Sequence, residues 1–176
     1  MESESARMSS AAEARFRIEY PNSEPRVTKV VALDEASERV VKRVAQQVWQ
    51  RANFFTSLKF GGADATGREG WSMNAGSMKA WLSDLAGRTK ALIEEVASAD
   101  LVVMVASAGT GADAASVIGE ACAARKVMTM ALIVGSEQRS DEDLSKTLAA
   151  LRPNASMLVI ANGEDYIEEM LAALRA

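Results

Sequence analysis

The chain has 176 residues and a net charge of -4, with 48% hydrophobic and 25% charged residues. This length and composition predict one globular domain with a substantial core. The acidic balance argues against nucleic acid as a partner, because phosphate backbones are bound by basic surfaces. The complete absence of histidine excludes His-based catalysis and His-containing zinc sites.

The single cysteine, the lengths of the apolar runs and the composition of the first residues indicate the cellular location. Cys122 cannot form an intrachain disulfide, and its place between two alanines in a helical pattern predicts a small buried thiol. No apolar run approaches the roughly 20 residues that span a membrane, and the polar, acidic start is unlike a secretory signal. We expect a cytoplasmic protein without a membrane partner. Residues 1–25 predict a flexible extension and residues 26–176 a single domain.

The first predicted elements are a strand, a helix and a second strand. The β-branched segment 27–33 predicts a strand that ends at an acidic helix start, with Asp34 as the N-cap. Residues 53–60 predict the second strand. The helix between them carries its valines on one face, namely Val40, Val41, Val44 and Val48.

A glycine-rich connection follows at residues 61–76, with "GWSMN" as a short edge strand within it. Its residues Asp64, Thr66 and Arg68 fit either a small-ligand loop or, as the favoured reading, a surface connection. Residues 77–98 predict a helix, because Met78, Leu82, Leu85, Leu92 and Val96 recur near helical spacing.

The second half of the chain alternates strands and helices. Strands are predicted at 101–106, 127–134 and 156–162, and helices at 113–125, 140–152 and 164–176. The strand methionines Met104, Met128, Met130 and Met157 are expected to fill the core. Since these strands are apolar throughout, they indicate a mostly parallel sheet covered on both faces by helices. The predicted fold class is α/β, a three-layer, doubly wound, Rossmann-like sandwich.

In such a sheet a ligand binds outside the carboxyl ends of the strands, where the winding direction switches. Two loops are candidates, residues 33–35 and residues 107–112. The second contains a Gly-Thr-Gly turn whose glycines allow positive φ, and it leads into a helix start that favours an anion. The candidate phosphate-binding residues are Ser107, Ala108, Gly109, Thr110, Gly111 and Ala112.

The turn has a competing interpretation, in which its glycines serve backbone geometry alone. It lacks the lysine of a P-loop, and the first loop, "LDEASE", lacks the glycines of a dinucleotide-binding turn. Instead Asp34 and Glu35 place two carboxylates where a phosphate would have to sit, which repels it.

The segment "ADLVVMVASAGTGADAASVIGEA" resembles the signature region of the FtsZ/tubulin family, GGGTGTG followed by AAPVIAE. The Gly-Thr-Gly turn aligns with identical residues of the signature, and the match continues along the next helix at Ala114, Ala115, Val117, Ile118 and Glu120. Further on, "LAALRPNASMLVIANGEDYI" is similar to the family's IEELRKYVDTLIVIPND, so the resemblance runs from about residue 91 to residue 167. It implies a Rossmann-like domain descended from a GTP- or GDP-binding one.

The sequence also departs from that signature. Ser107, Ala108, Ala112 and Asp113 replace its remaining glycines and second threonine. Asp113 is expected to weaken the site, either by capping its own helix or by repelling the anion. The family's second domain, with the acidic loop that activates hydrolysis, is expected to have no counterpart here.

These observations favour a non-catalytic binding or assembly module with a degenerate nucleotide pocket, and with neither a catalytic residue nor a metal site. The alternative is a protein that binds GTP or another nucleotide through the Gly109–Gly111 turn, with or without weak hydrolysis. An unrelated enzyme is the third possibility. A homo-oligomer or a protein partner is expected, because closed homo-oligomers are common among soluble chains.

Overall fold

The computed structural model describes residues 25–57, 81–84, 89–110, 112–135, 139–161 and 163–176. The extension at 1–24, the glycine-rich connection and its edge strand therefore lie outside the described residues. The strands are β1 (Thr28–Ala32), β2 (Ala52–Thr56), β3 (Trp81–Asp84), β4 (Thr89–Ala91), β5 (Leu101–Ser107), β6 (Met128–Val134) and β7 (Met157–Ile160). The helices are α1 (Glu35–Val44), α2 (Leu92–Ala97), α3 (Ala114–Arg125), α4 (Asp141–Leu151) and α5 (Tyr166–Ala173), and a 3-10 turn (Arg152–Asn154) follows α4.

The seven strands found in the described residues form one sheet in the order β4-β3-β2-β1-β5-β6-β7. The five strands from β2 to β7 in that order are parallel, and β3 and β4 extend the sheet with antiparallel pairs beside β2. The predicted α/β class and mostly parallel sheet are therefore confirmed.

Helices cover both faces of the sheet, which makes three layers. One face packs against α1 and α5, whose buried residues Val41 and Leu171 join those of alternate strand positions such as Val103. The other face packs against α2, α3 and α4, with Ile118 and Leu151 at the centre. β5 is buried along its whole length, as expected of a strand covered on both sides.

A partly buried ion pair links α2 to β1. Lys29 on β1 is only 6% exposed, and its ammonium donates to Glu95 at 2.8 Å and to the side-chain carbonyl of Asn53 at 2.9 Å. A charge buried this deeply is tolerated because it is paired and hydrogen-bonded.

The predicted helix at 77–98 is wrong over most of its described length. Residues 81–84 and 89–91 are strands, and only Leu92–Ala97 is helical. Pairing with β2 supplies β3 with backbone partners, Phe55 opposite Asp84 and Thr56 opposite Ser83. This tertiary pairing outweighs the helical spacing of the apolar residues.

Three smaller expectations also need correction. The first helix ends at Val44, so Val48 lies beyond it and is fully exposed rather than on its buried face. Met128 and Met157, predicted to fill the core, are instead 48% and 47% exposed, and each is the first residue of its strand. The other three valines of that predicted face, Val40, Val41 and Val44, are buried as expected, and so is Cys122.

Candidate functional site

The winding of the sheet reverses between β1 and β5. The chain passes from β1 to β2 on one side, and from β5 through β6 to β7 on the other. The carboxyl ends of β1 and β5 therefore flank the crevice in which doubly wound proteins bind ligands. Leu33 N–H donates to the carbonyl of Val105 at 2.9 Å, so the segments that lead into the two candidate loops lie side by side here.

Asp34 caps α1, as predicted. Its Oδ1 accepts the backbone N–H of Ser37 at 2.9 Å, and the Ser37 hydroxyl accepts the Asp34 N–H at 3.1 Å. This reciprocal pair is a capping box in which serine takes the place of the usual glutamate. The cap fixes the Asp34 side chain over the carboxyl end of β1.

The same carboxylate reaches across the crevice to the Gly-Thr-Gly turn. Asp34 Oδ2 accepts the Ser107 N–H at 2.7 Å, and Oδ1 accepts the Ser107 hydroxyl at 2.9 Å. The Thr110 hydroxyl lies 3.0 Å from Oδ2 and 2.7 Å from the Ser107 carbonyl, and its single proton serves one of them at a time. Asp34 is only 7% exposed, so donors surround it rather than water.

Helix α4 covers the other side of the turn. Gly109 N–H donates to the hydroxyl of the fully buried Thr147 at 3.0 Å. Gly109 has φ +85°, and a Cβ added there would lie 3.1 Å from Cβ of Asp143. The positive φ therefore favours glycine, and any larger residue would also crowd the Asp143 side chain.

The backbone N–H groups of residues 107–110 all have acceptors within the chain. Ser107 donates to Asp34 and Gly109 to Thr147, as described above. Ala108 N–H donates to the carbonyl of Val134 on β6 at 3.3 Å, and Thr110 N–H to the carbonyl of Ser107 at 3.4 Å. A phosphate held by residues 107–110 would compete for these same N–H groups.

Ala112 and Gly111 are the last of the candidate phosphate-binding residues. Ala112 is buried, and Gly111 lies outside the described residues. Of the two roles expected for Asp113, the capping role is wrong, because its backbone is already helical and its side chain makes no capping bond. The helix start at α3 is instead tightened by a bond from Ala115 N–H to the carbonyl of Ala112 at 2.9 Å.

Sequence reasoning found both loops but missed two residues that close the site. Ser37 was detectable, because a capping box has a recognisable spacing from Asp34. Thr147 has no such local signal, since it meets Gly109 only through the packing of α4. In the described part of the chain, every buried side-chain nitrogen or oxygen has a hydrogen-bond partner.

Among the described residues, no group of three or more Cys, Asp or Glu side chains is placed to hold a metal ion. Within the same residues, no helix is both long and apolar enough to cross a membrane. The sequence matches no model of a known protein family and no curated protein. The resemblance of the turn to the FtsZ/tubulin signature therefore stays a prediction.

Proposed function

We propose that this chain is a non-catalytic, FtsZ/tubulin-like α/β domain that acts as a binding or assembly module with a degenerate nucleotide crevice. The observation that carries the proposal is the internal use of every backbone N–H from Ser107 to Thr110. A nucleotide phosphate would have to break those bonds, and each broken bond within the chain offsets one that the ligand forms.

Charge supports the same conclusion. The Asp34 carboxylate lies within hydrogen-bond distance of the donors that would face a phosphate. Two anions that share one set of donors in a site shielded from water repel each other strongly. We infer that a triphosphate is excluded both because these donors are already occupied and because the Asp34 carboxylate adds negative charge.

The assembly part of the proposal is supported by two exposed methionines at the amino ends of the neighbouring strands β6 and β7, Met128 and Met157. Met157 pairs in register with Met130, and Met128 lies two residues before Met130, so all three share one face of the sheet. Both exposed side chains are about half accessible. Flexible methionines suit contact with another protein surface, including that of a second copy.

A second candidate function is nucleotide binding through the Gly-Thr-Gly turn, with or without weak hydrolysis. One observation favours it: the turn keeps its positive-φ glycine, Gly109, and two hydroxyl groups at the switch point of the sheet. These features are compatible with a ligand only if Asp34 and Thr147 release the turn.

Isothermal titration of the purified chain with GTP, GDP and ATP, with and without Mg²⁺, separates the two functions. The module proposal predicts no saturable heat for any of them. Micromolar binding of a nucleotide would contradict it. Light scattering of the same sample tests assembly, because a homo-oligomer has a mass that is a multiple of the sequence mass.

A further inference from the structure

The Asp34 carboxylate joins three separate segments at the switch point. Donors reach it from the first turn of α1 through Ser37, from the end of β5 through Ser107, and from the turn through Thr110. Ser107 lies 73 residues from Asp34 along the chain and contributes both its N–H and its hydroxyl. A helix cap alone requires only the bond to Ser37, so the contacts across the crevice call for a further explanation.

We propose that Asp34 is an autoinhibitory residue, a side chain of the protein that occupies the place of an oxyanion ligand. The proposal rests on the proposed function and names the class of ligand that the crevice excludes. The donors that converge on Asp34 are backbone N–H groups and hydroxyls, which are the groups that bind a tetrahedral oxyanion such as phosphate. The crevice thus retains donors for an oxyanion, and the Asp34 carboxylate is the anion that they bind.

The test replaces Asp34 while keeping α1 capped. Asp34→Gly and Asp34→Ser both remove the carboxylate, and glycine and serine are both accepted at an N-cap. Each variant is titrated with inorganic phosphate and, separately, with GTP, with phosphorus NMR or calorimetry as the readout. We expect affinity for inorganic phosphate to rise about tenfold or more over the wild type in at least one variant.

Asp100→Gly is the matched control. Asp100 also accepts a backbone N–H, that of Val27 at 2.8 Å, but at the amino end of β5. The control removes the same charge and one comparable bond far from the crevice, so phosphate affinity should stay at the wild-type level. Adding Ser107→Ala to Asp34→Gly removes one of the freed hydroxyls and should reduce the gain.

Each outcome decides the inference. A gain with inorganic phosphate identifies a free oxyanion as a sufficient ligand, and a larger gain with GTP identifies the phosphate chain of a nucleotide; either result supports the inference. Folded Asp34 variants that bind neither ligand better than the wild type overturn it and leave the proposed function intact. If both variants fail to fold, the carboxylate is a structural group and the inference is overturned. Tight GTP binding by the wild type overturns the proposed function itself.

Discussion

Replacing Asp34 with alanine is expected to lower the free energy of unfolding by about 2–4 kcal/mol. Loss of the acceptor for Ser37 N–H removes a helix cap, at a cost of about 1 kcal/mol. Ser107 is only 7% exposed. Its N–H loses the Asp34 acceptor in the variant, at a cost of about 1–3 kcal/mol. The two hydroxyls add less because they can rotate, and that of Thr110 already lies 2.7 Å from the Ser107 carbonyl.

Urea unfolding followed by circular dichroism measures this loss, provided that the denaturant dependence of the wild type and the variant is the same. Asp34→Ser is the informative partner, because serine can still cap α1 but is too short to span the crevice. It should recover about 1 kcal/mol relative to alanine. An alanine variant that loses less than about 1 kcal/mol would show that the contact across the crevice is not formed in solution.

Three further predictions concern the turn, the buried thiol and the exposed methionines. Gly109→Ala should destabilise the fold by about 2–4 kcal/mol in urea unfolding, since it combines positive-φ strain with crowding against α4. Gly135→Ala, at φ +68° with open space around it, should cost only about 1–2 kcal/mol. Burial raises the pKa of the Cys122 thiol from 9.0 to about 12. As the pH rises, the thiol therefore ionises in the unfolded chain before it does so in the folded one. Its contribution to stability is full below pH 9 and is lost as the pH rises toward 12. Finally, Met157→Lys should lower the mass measured by light scattering if the methionine pair lies in an assembly interface, whereas Val48→Lys should not.

Each of these predictions has a result that contradicts it. Equal losses for the two glycine variants would mean that α4 does not press on the turn. Cys122→Ala should abolish the alkaline loss that the thiol causes, so an unchanged pH profile in that variant would assign the loss to other groups. A mass that is unaffected by Met157→Lys, in a protein that does self-associate, would place the interface elsewhere on the surface.

The fold was predictable where the hydrophobic pattern has one interpretation. β5 and β6 each have six apolar residues out of seven, with Ser107 and Thr129 as the exceptions, and such runs beside amphipathic helices indicate a buried parallel sheet. The segment that became β3 and β4 was not predictable in this way. Its apolar spacing also fits a helix, and what decides its structure is the pairing of Trp81–Asp84 with β2, a contact between distant parts of the chain.

The candidate site also has some features that the local sequence indicates and others that it does not. The Gly-Thr-Gly turn and the cap at Asp34 are local features, and the sequence contains enough to locate both of them. The bond between Asp34 and Ser107 joins residues 73 positions apart, and that between Gly109 and Thr147 joins residues 38 apart. Neither has a local pattern, so the sequence indicated an acidic crevice but not that the crevice is closed by its own hydrogen bonds.

The most direct test of the account is the nucleotide content of the protein as it is purified from its host cell. The chain is denatured, and the released small molecules are separated by chromatography and detected by their ultraviolet absorbance. A crevice whose donors are already taken by Asp34 and Thr147 should release no guanine or adenine nucleotide. One nucleotide released per chain would contradict the account.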